Sequence, residues 1–393
     1  MEQIDDHYDA IVVGGRIAGA STAMLLARLG HRVLLLERAR PGTDTLSTHA
    51  LMRAGVVQLH RWGLLARLRA AGTPPIKKTT IQYGDNPIHI PIKAAGGVDA
   101  LYAPRRTVLD RLVVEAAEEA GAEVRFGVRV ADLHRDDRGR VLGVRGSDEL
   151  GRALSVRAPL TIGADGLRSL VARRTGARVY KRGRFSGAMV YGYFEGIVTD
   201  GYEWYFRPGL SGGLIPTNGR LTCAWAGAPT ARFRSDLFRA GLPAPEAVLS
   251  ALDPEAGRRV LSARRVGSVR GFPGVRGFLR EAWGPGWVLV GDAGYFKDPL
   301  SSHGISDALR DAELLAGRVH EILEGRPERE ALSSFQTERD RLSTPLFDVT
   351  DAIASYRWDL DGIRELQLRM SVAMREEVET LVSLEAPAAP VAG

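Results

Sequence analysis

The stretch YDAIVVGGRIAGASTAMLLARLG, residues 8–30, constrains the fold of this chain more than any other. A short apolar run rich in β-branched residues reads as a buried strand. Two glycines follow, then apolar residues at helical spacing that stop at Gly30, a natural helix-ending glycine. HRVLLLER supplies the next strand. Strand, glycine turn, helix and parallel strand make a βαβ unit, which predicts an α/β fold built on a parallel sheet.

The turn itself has a chemical reading. Aligned on G-x-G-x-x-G it runs Gly14-Gly15-Arg16-Ile17-Ala18-Gly19, with arginine at the middle glycine position. The outer glycines keep the tight turn and the close helix–strand packing. Arg16 gives up the smallest contact surface and adds a guanidinium suited to phosphate. Its Cβ demands a backbone conformation that a non-glycine residue tolerates. Glu37 closes the second strand, 18 residues beyond Gly19. That spacing suits a carboxylate that accepts hydrogen bonds from a ribose, and it disfavours a 2′-phosphate at the same place. The motif therefore predicts a dinucleotide site; the competing reading is a βαβ unit whose turn merely starts a helix.

Bulk properties narrow the class. The 393 residues suffice for one large α/β domain with an inserted lobe, or for two cores. A net charge of +6 raises the possibility of nucleic acid. The arginines are scattered and interleaved with acids, as in RDAELLAGR from Arg310, which reads as a solvated mixed surface with no nucleic-acid patch. A single cysteine, Cys223, precludes an internal disulfide and suits a reducing, cytoplasmic setting. The acidic opening MEQIDDHYDA does not read as a secretory signal, and no apolar run is long enough for a transmembrane segment.

Along the chain, residues 1–75, 101–180 and 273–330 read as a discontinuous nucleotide-binding domain. Residues 76–100 and 181–272, rich in glycine, aromatic and β-type residues, read as an inserted β-sheet substrate domain. Residues 331–385 read as a C-terminal helical segment that closes the pocket or forms a homodimer face, and 386–393 as a tail.

Two further turns follow buried strands: GADGLRSLVAR from Gly163, and GDAGYFKDP from Gly291. With the first turn, and in this order, they resemble the three fingerprints of the para-hydroxybenzoate hydroxylase family of FAD-dependent oxidoreductases, the group A flavoprotein monooxygenases. The resemblance spans residues 9 to about 315. It implies a glutathione-reductase-type, Rossmann-like FAD-binding domain with an inserted, mainly β substrate domain and C-terminal helices. It also implies that Glu37 holds the adenosine ribose with Arg38 beside it, that Val130 borders the adenine, and that Arg106 lies along the flavin. Asp292 would take the ribityl chain, and Asp165 and Gly166 would lie near the pyrophosphate, a region the family also links to NAD(P)H. After Pro299, a helix beginning at about Gly304 would aim the N–H groups of Gly304, Ile305 and Ser306 at the electron-rich edge of the flavin, where preorganised donors stabilise the reduced form. Tyr295 departs from the histidine that many relatives carry after GDA.

His49 and His303 are the histidines expected to face the ring, each with a hydrogen-bonded structural role as the alternative. No pair of histidines has metal spacing, so no metal is expected. Tyr202, Trp204 and Phe206 alternate along one strand and LIP ends at Ile215–Pro216. Together with His89 they form the expected substrate pocket, although the same alternation also builds a plain sheet core. Neither a catalytic lysine motif nor the Trp-x-Trp-x-Ile-Pro signature of flavin-dependent halogenases is found, which disfavours halogenation.

The expected function is an FAD monooxygenase: NAD(P)H reduces the flavin transiently, O2 forms a C4a-hydroperoxide, and a small aromatic or polyketide-like substrate is hydroxylated. The alternative is a flavin-dependent reductase of carbon–carbon double bonds, similar to the geranylgeranyl reductase branch. A non-catalytic escort protein with this fold is the third reading.

Overall fold

The computed structural model describes residues 2–3, 8–233 and 245–384. The tail expected at 386–393 lies outside the described residues.

A six-stranded sheet organises the nucleotide domain. Its order is Trp283–Gly284, Trp287–Leu289, Leu160–Gly163, Ala10–Val13, Val33–Glu37, Glu123–Phe126, and all but the first strand run parallel. The three strands that precede the glycine, DG and GD turns are therefore neighbours, in register at Val12, Ile162 and Val288. Each is buried along its length, as a parallel sheet covered on both faces requires. The helix Ile17–Arg28 packs over this sheet and against helices Arg106–Glu119 and Gly304–Leu323. It ends as expected, with Gly30 in the left-handed region at φ +88°.

A second, seven-stranded sheet stands beside the first. Its order is Arg264–Phe272, Gly187–Glu195, Leu221–Pro229, Leu210–Pro216, Tyr202–Arg207, Lys78–Tyr83, Asn86–Pro91. The early strand Lys78–Tyr83 joins Tyr202–Arg207 in parallel, so two distant parts of the chain build one sheet. Alternation gives it two different faces. Tyr191, Tyr193, Trp204, Phe206, Ile215, Cys223 and Trp225 merge with the core of the nucleotide domain. On the other face, Val190, Tyr205, Leu214 and Ala224 pack with Leu249, Leu252 and Val260.

Those last three belong to helices Pro245–Leu252 and Pro254–Leu261, which interrupt a stretch read from sequence as sheet. The signal was present: Asp253 caps the second helix, accepting from Ala256 N–H at 2.7 Å, with proline at its first turn. A third unit, an antiparallel meander of Arg129–Arg135, Val141–Ser147 and Ala153–Arg157, flanks the nucleotide domain, its first turn formed by the DDRG expected there. The C-terminal helices Glu328–Ala354 and Leu360–Ser383 pack on each other; the first also lies against Gly304–Leu323 and the second against Arg53–Arg61. No helix among the described residues is long and apolar enough to cross a membrane.

Candidate FAD site

The three turns converge. Ala164 N–H donates to Val13 O at 2.8 Å, Val290 N–H to Gly163 O at 3.0 Å, and Gly14 N–H to Leu36 O at 2.8 Å. Contact is close enough to require glycine. Gly14 has φ +107°, and a Cβ there would lie 2.4 Å from Ala164 O. A Cβ on Gly19 would lie 1.8 Å from Gly14 O, and one on Gly291 would lie 2.8 Å from the Cβ of Ala18. The GD turn thus sits directly on the helix that the first turn opens.

Arg16 replaces the middle glycine without strain. It stands at φ −87°, ψ −171°, ordinary extended backbone, as the N-cap of helix Ile17–Arg28. No side chain caps that helix, so its first N–H groups stay available to an anion. The guanidinium is held by Asp110 at 2.8 Å and by Thr43 O at 2.6 Å. Arg106 Nε binds the same carboxylate at 2.8 Å. Two guanidiniums on one carboxylate leave net positive charge beside the turn, which suits a pyrophosphate.

Glu37 is buried, and both of its oxygens are oriented by backbone: Oε2 accepts from Gly15 N–H at 2.7 Å and Oε1 from Ala39 N–H at 2.8 Å. Each oxygen keeps a second lone pair for a ribose hydroxyl. Beside it, Arg38, Arg40 and Arg129 line a surface groove of about 480 Å³. Val130, half-buried, packs against the adjoining core. At the DG turn, Gly166 adopts φ +73°, while Asp165 Oδ2 accepts from Leu170 N–H at 2.5 Å and Oδ1 is buried without a partner among the described residues.

Asp292 is enclosed by protein yet is the one exposed residue between Gly286 and Asp298. Burial pushes its carboxyl up to about 6, against the opposing pull of Lys297 and Arg106. An accessible carboxylate in an otherwise closed stretch is the expected look of a ligand-facing group. The half-buried Pro299 and a short turn lead to Gly304, exposed, and Ile305, half-buried; no side chain caps the helix they begin. The helix packs against the Gly291–Ala293 turn that carries Asp292, and its uncapped start offers unpaired N–H groups to an electron-rich ligand edge. Two uncapped helix ends, an oriented Glu37 and an open Asp292 match the donors and acceptors of FAD: pyrophosphate, ribose, ribityl chain and pyrimidine edge.

The candidate histidines part company. His49 lies at φ +69°, rare for a side-chain-bearing residue, and is 1% exposed, with Nε2 against the Tyr193 hydroxyl. Burial holds its pKa well down, helped by Arg105, Arg106 and Arg270, so it stands neutral. His303 occupies the N-cap position of Gly304–Leu323 without capping it, its imidazole turned into the interior against Glu377 of the last helix. Trp204, Phe206 and Ile215 lie on the face toward the nucleotide domain, where Trp204 packs on Trp225 and Phe206 on Trp358. Pro216, half-buried, ends the strand that carries Ile215. His89 does not join them. It is exposed on the edge strand, pairs in register with Thr80, and so points away from that face.

Beneath the start of helix Gly304–Leu323 lies a feature that sequence reading missed. Arg310 and Asp311, which in sequence read as a solvated surface, are fully buried. Arg310 reaches Asp311 at 2.6 Å, Glu377 at 2.8 Å, Asp307 at 3.2 Å and Ser343 Oγ at 2.8 Å. Lys297 pairs with Asp307. His303, Asp307 and Glu377 lie close enough to hold a metal, but Lys297 and Arg310 already neutralise those carboxylates. Burial and Arg310 push the Lys297 ammonium down to about 7, while Glu377, Asp292 and Asp311 oppose. Burial alone would raise Glu377, but His303 and Arg310 outweigh it and hold its carboxyl down from an ordinary 4.5 to about 2.

A carboxyl depressed in the folded state contributes stability above its unfolded value and loses it as pH falls through the folded one. Glu377 should therefore contribute on the order of 3 kcal/mol above about pH 4.5 that disappears toward pH 2. Glu377→Gln is expected to flatten this part of the acid-unfolding curve, read by circular dichroism against pH. A variant curve parallel to wild type would show that the network does not carry that charge.

The described FAD binding domain family model matches residues 7–350. Aklavinone 12-hydroxylase from Streptomyces peucetius is 27% identical over 89% of this chain and 75% of its own length. Menaquinone reductase from Mycobacterium tuberculosis is 28% identical over 82% of this chain and 78% of its own. A flavin-dependent brominase triple mutant superposes with a TM-score of 0.81 at 19% identity, covering 97% of each chain, a likeness of fold. The chain belongs to the FAD binding domain family and is an FAD-dependent oxidoreductase, with the glycine, DG and GD turns meeting at one place.

Proposed function

We propose that the chain is an FAD-dependent monooxygenase that spends NAD(P)H and O2 to hydroxylate a small aromatic or polyketide-like compound. One observation supports the reading most: helix Gly304–Leu323, uncapped at its start, packs against the Gly291–Ala293 turn that carries the exposed Asp292. When bound, FAD supplies the hydride acceptor and the centre that activates oxygen. The chain's share is binding, orientation and exclusion of water. Glu37 and the first turn fix the adenosine and pyrophosphate end. Asp292 and the N–H groups from Gly304 onward fix the reactive end and favour electron density there. Tyr191, Tyr193, Trp204 and Trp225 make the sheet face toward this domain aromatic and dry, suited to a flat apolar ring.

The aklavinone 12-hydroxylase relative is, by its name, a hydroxylase, which favours this reading. The menaquinone reductase relative gives the second reading, reduction of an unsaturated substrate without oxygen. Oxygen-electrode assays of the FAD-loaded protein with NADPH and a panel of phenolic acids and anthraquinones separate the two. The monooxygenase reading expects O2 uptake stimulated by a substrate, with hydroxylated product equal to NADPH consumed minus H2O2 released. Equal NADPH-driven conversion under strict anaerobiosis would replace it by the reductase reading.

A further inference from the structure

His31 and His320 stand 289 residues apart in the chain, and the fold brings two of their ring nitrogens together: Nε2 of the first lies 2.8 Å from Nδ1 of the second. Both histidines are half-buried, so the pair is walled by protein yet open to solvent. Each is held by a helix end. His31 follows helix Ile17–Arg28, where Gly30 reverses the chain and His31 N–H donates to Leu26 O at 3.1 Å. His320 sits in the last turn of Gly304–Leu323, which packs on that helix.

The surroundings favour a cation. The C-terminal end of a helix carries partial negative charge, and two such ends meet at this pair. Two acids add to it. Asp9 is fixed beside His31 by accepting Arg32 N–H at 2.7 Å, and Glu324 lies one turn beyond His320 on the same helix face. Burial, with His320, holds the His31 imidazole pKa down against the pull of both acids. The ring therefore stands neutral at pH 7, with a lone pair to offer. The contrast is with His303, Asp307 and Glu377, whose carboxylates Lys297 and Arg310 already occupy.

We propose that His31 and His320 chelate one divalent first-row transition ion of the zinc type through the two nitrogens that face each other, with water completing the coordination and Asp9 and Glu324 balancing the charge. Imidazole nitrogen suits zinc, copper and nickel, whereas magnesium and calcium take oxygen. Each ring keeps its proton on the far nitrogen, so one tautomer changes and no net proton is released. Two bonds of about 2.0–2.1 Å at a tetrahedral angle need the nitrogens about 3.3 Å apart, an opening of about 0.5 Å that a small turn of either ring provides. The ion staples the two helices at the ends remote from the cofactor: His320 lies about 24 Å along its helix from Gly304, at about 1.5 Å per residue. Its role is structural and independent of the monooxygenase reading.

Metal binding tests it, whichever reaction the enzyme performs. FAD-loaded protein is stripped with EDTA, desalted and titrated with zinc chloride by isothermal calorimetry, with magnesium chloride as the oxygen-seeking control. One zinc ion per chain is expected, with magnesium at least about ten-fold weaker. His31→Asn and His320→Asn should each weaken zinc at least about ten-fold, and Glu324→Gln less. His60→Asn, at an exposed histidine elsewhere, should leave zinc affinity unchanged. Zinc should also raise the thermal unfolding midpoint of the wild-type chain and not that of His320→Asn. Failure to bind zinc stoichiometrically, equal binding of magnesium, or a zinc affinity that survives both histidine changes would overturn the proposal. So would a loss in His60→Asn as large as in His320→Asn.

Discussion

Arg310→Ala should lower the unfolding free energy by about 3–5 kcal/mol, the usual consequence of removing one partner from a buried ion cluster. The reason lies in what is left behind. Arg310 has no exposed surface and neutralises Asp307, Asp311 and Glu377 together. Without it those carboxylates face one another in an interior where burial already penalises charge, with Lys297 as the remaining cation beside Asp307. The measurement is a urea unfolding curve: the midpoint should move sharply while the slope stays near that of wild type. The effect should reach FAD as well. Glu377 ties the last helix to His303, the residue at the start of the helix whose first N–H groups are proposed to face the cofactor. A midpoint shift worth less than about 1 kcal/mol, the scale of a surface ion pair, would mean the cluster is solvated.

Glu37→Ala and Asp292→Ala form the second large-effect pair. On the proposed site each removes a charged acceptor for one end of the cofactor, an expected loss of about 1.5–3 kcal/mol, or roughly ten- to hundred-fold in affinity. Because the two act at separate ends, the double variant should lose the sum of the two free energies. Glu37→Ala also frees the N–H groups of Gly15 and Ala39, so its loss should be the larger. Fluorescence recovery on FAD release reports both constants. Unchanged affinity in both variants would remove these two residues from the site.

What could be read from the sequence was local. Gly14, Gly19 and Gly291 occur where the backbone leaves no room for a Cβ, and such demands are written into single residues. The buried strands before each turn announce themselves as short apolar runs. Arg310 was illegible for the opposite reason. A helix carrying Asp307, Arg310 and Asp311 reads as a solvated face until Glu377, 67 residues later, is folded over it. His89 shows a related limit. Alternation separates two faces of a strand but does not say which one meets the nucleotide domain, and the pairing of Lys78–Tyr83 with Tyr202–Arg207 is long-range. The helices at 245–261 were legible and overlooked: Asp253-Pro254 is a plain helix start inside a stretch judged by its glycines and aromatics.

One molecule of FAD is proposed to span from Glu37 to the first turn of helix Gly304–Leu323. Equilibrium titration of flavin-free protein with FAD and, separately, with FMN tests it most directly, since FMN lacks the adenosine that Glu37 would hold. One FAD per chain, FMN weaker by at least ten-fold, and loss of that gap in Glu37→Ala are the expected results. Equal binding of FAD and FMN by the wild-type chain, or binding of neither, would contradict the account.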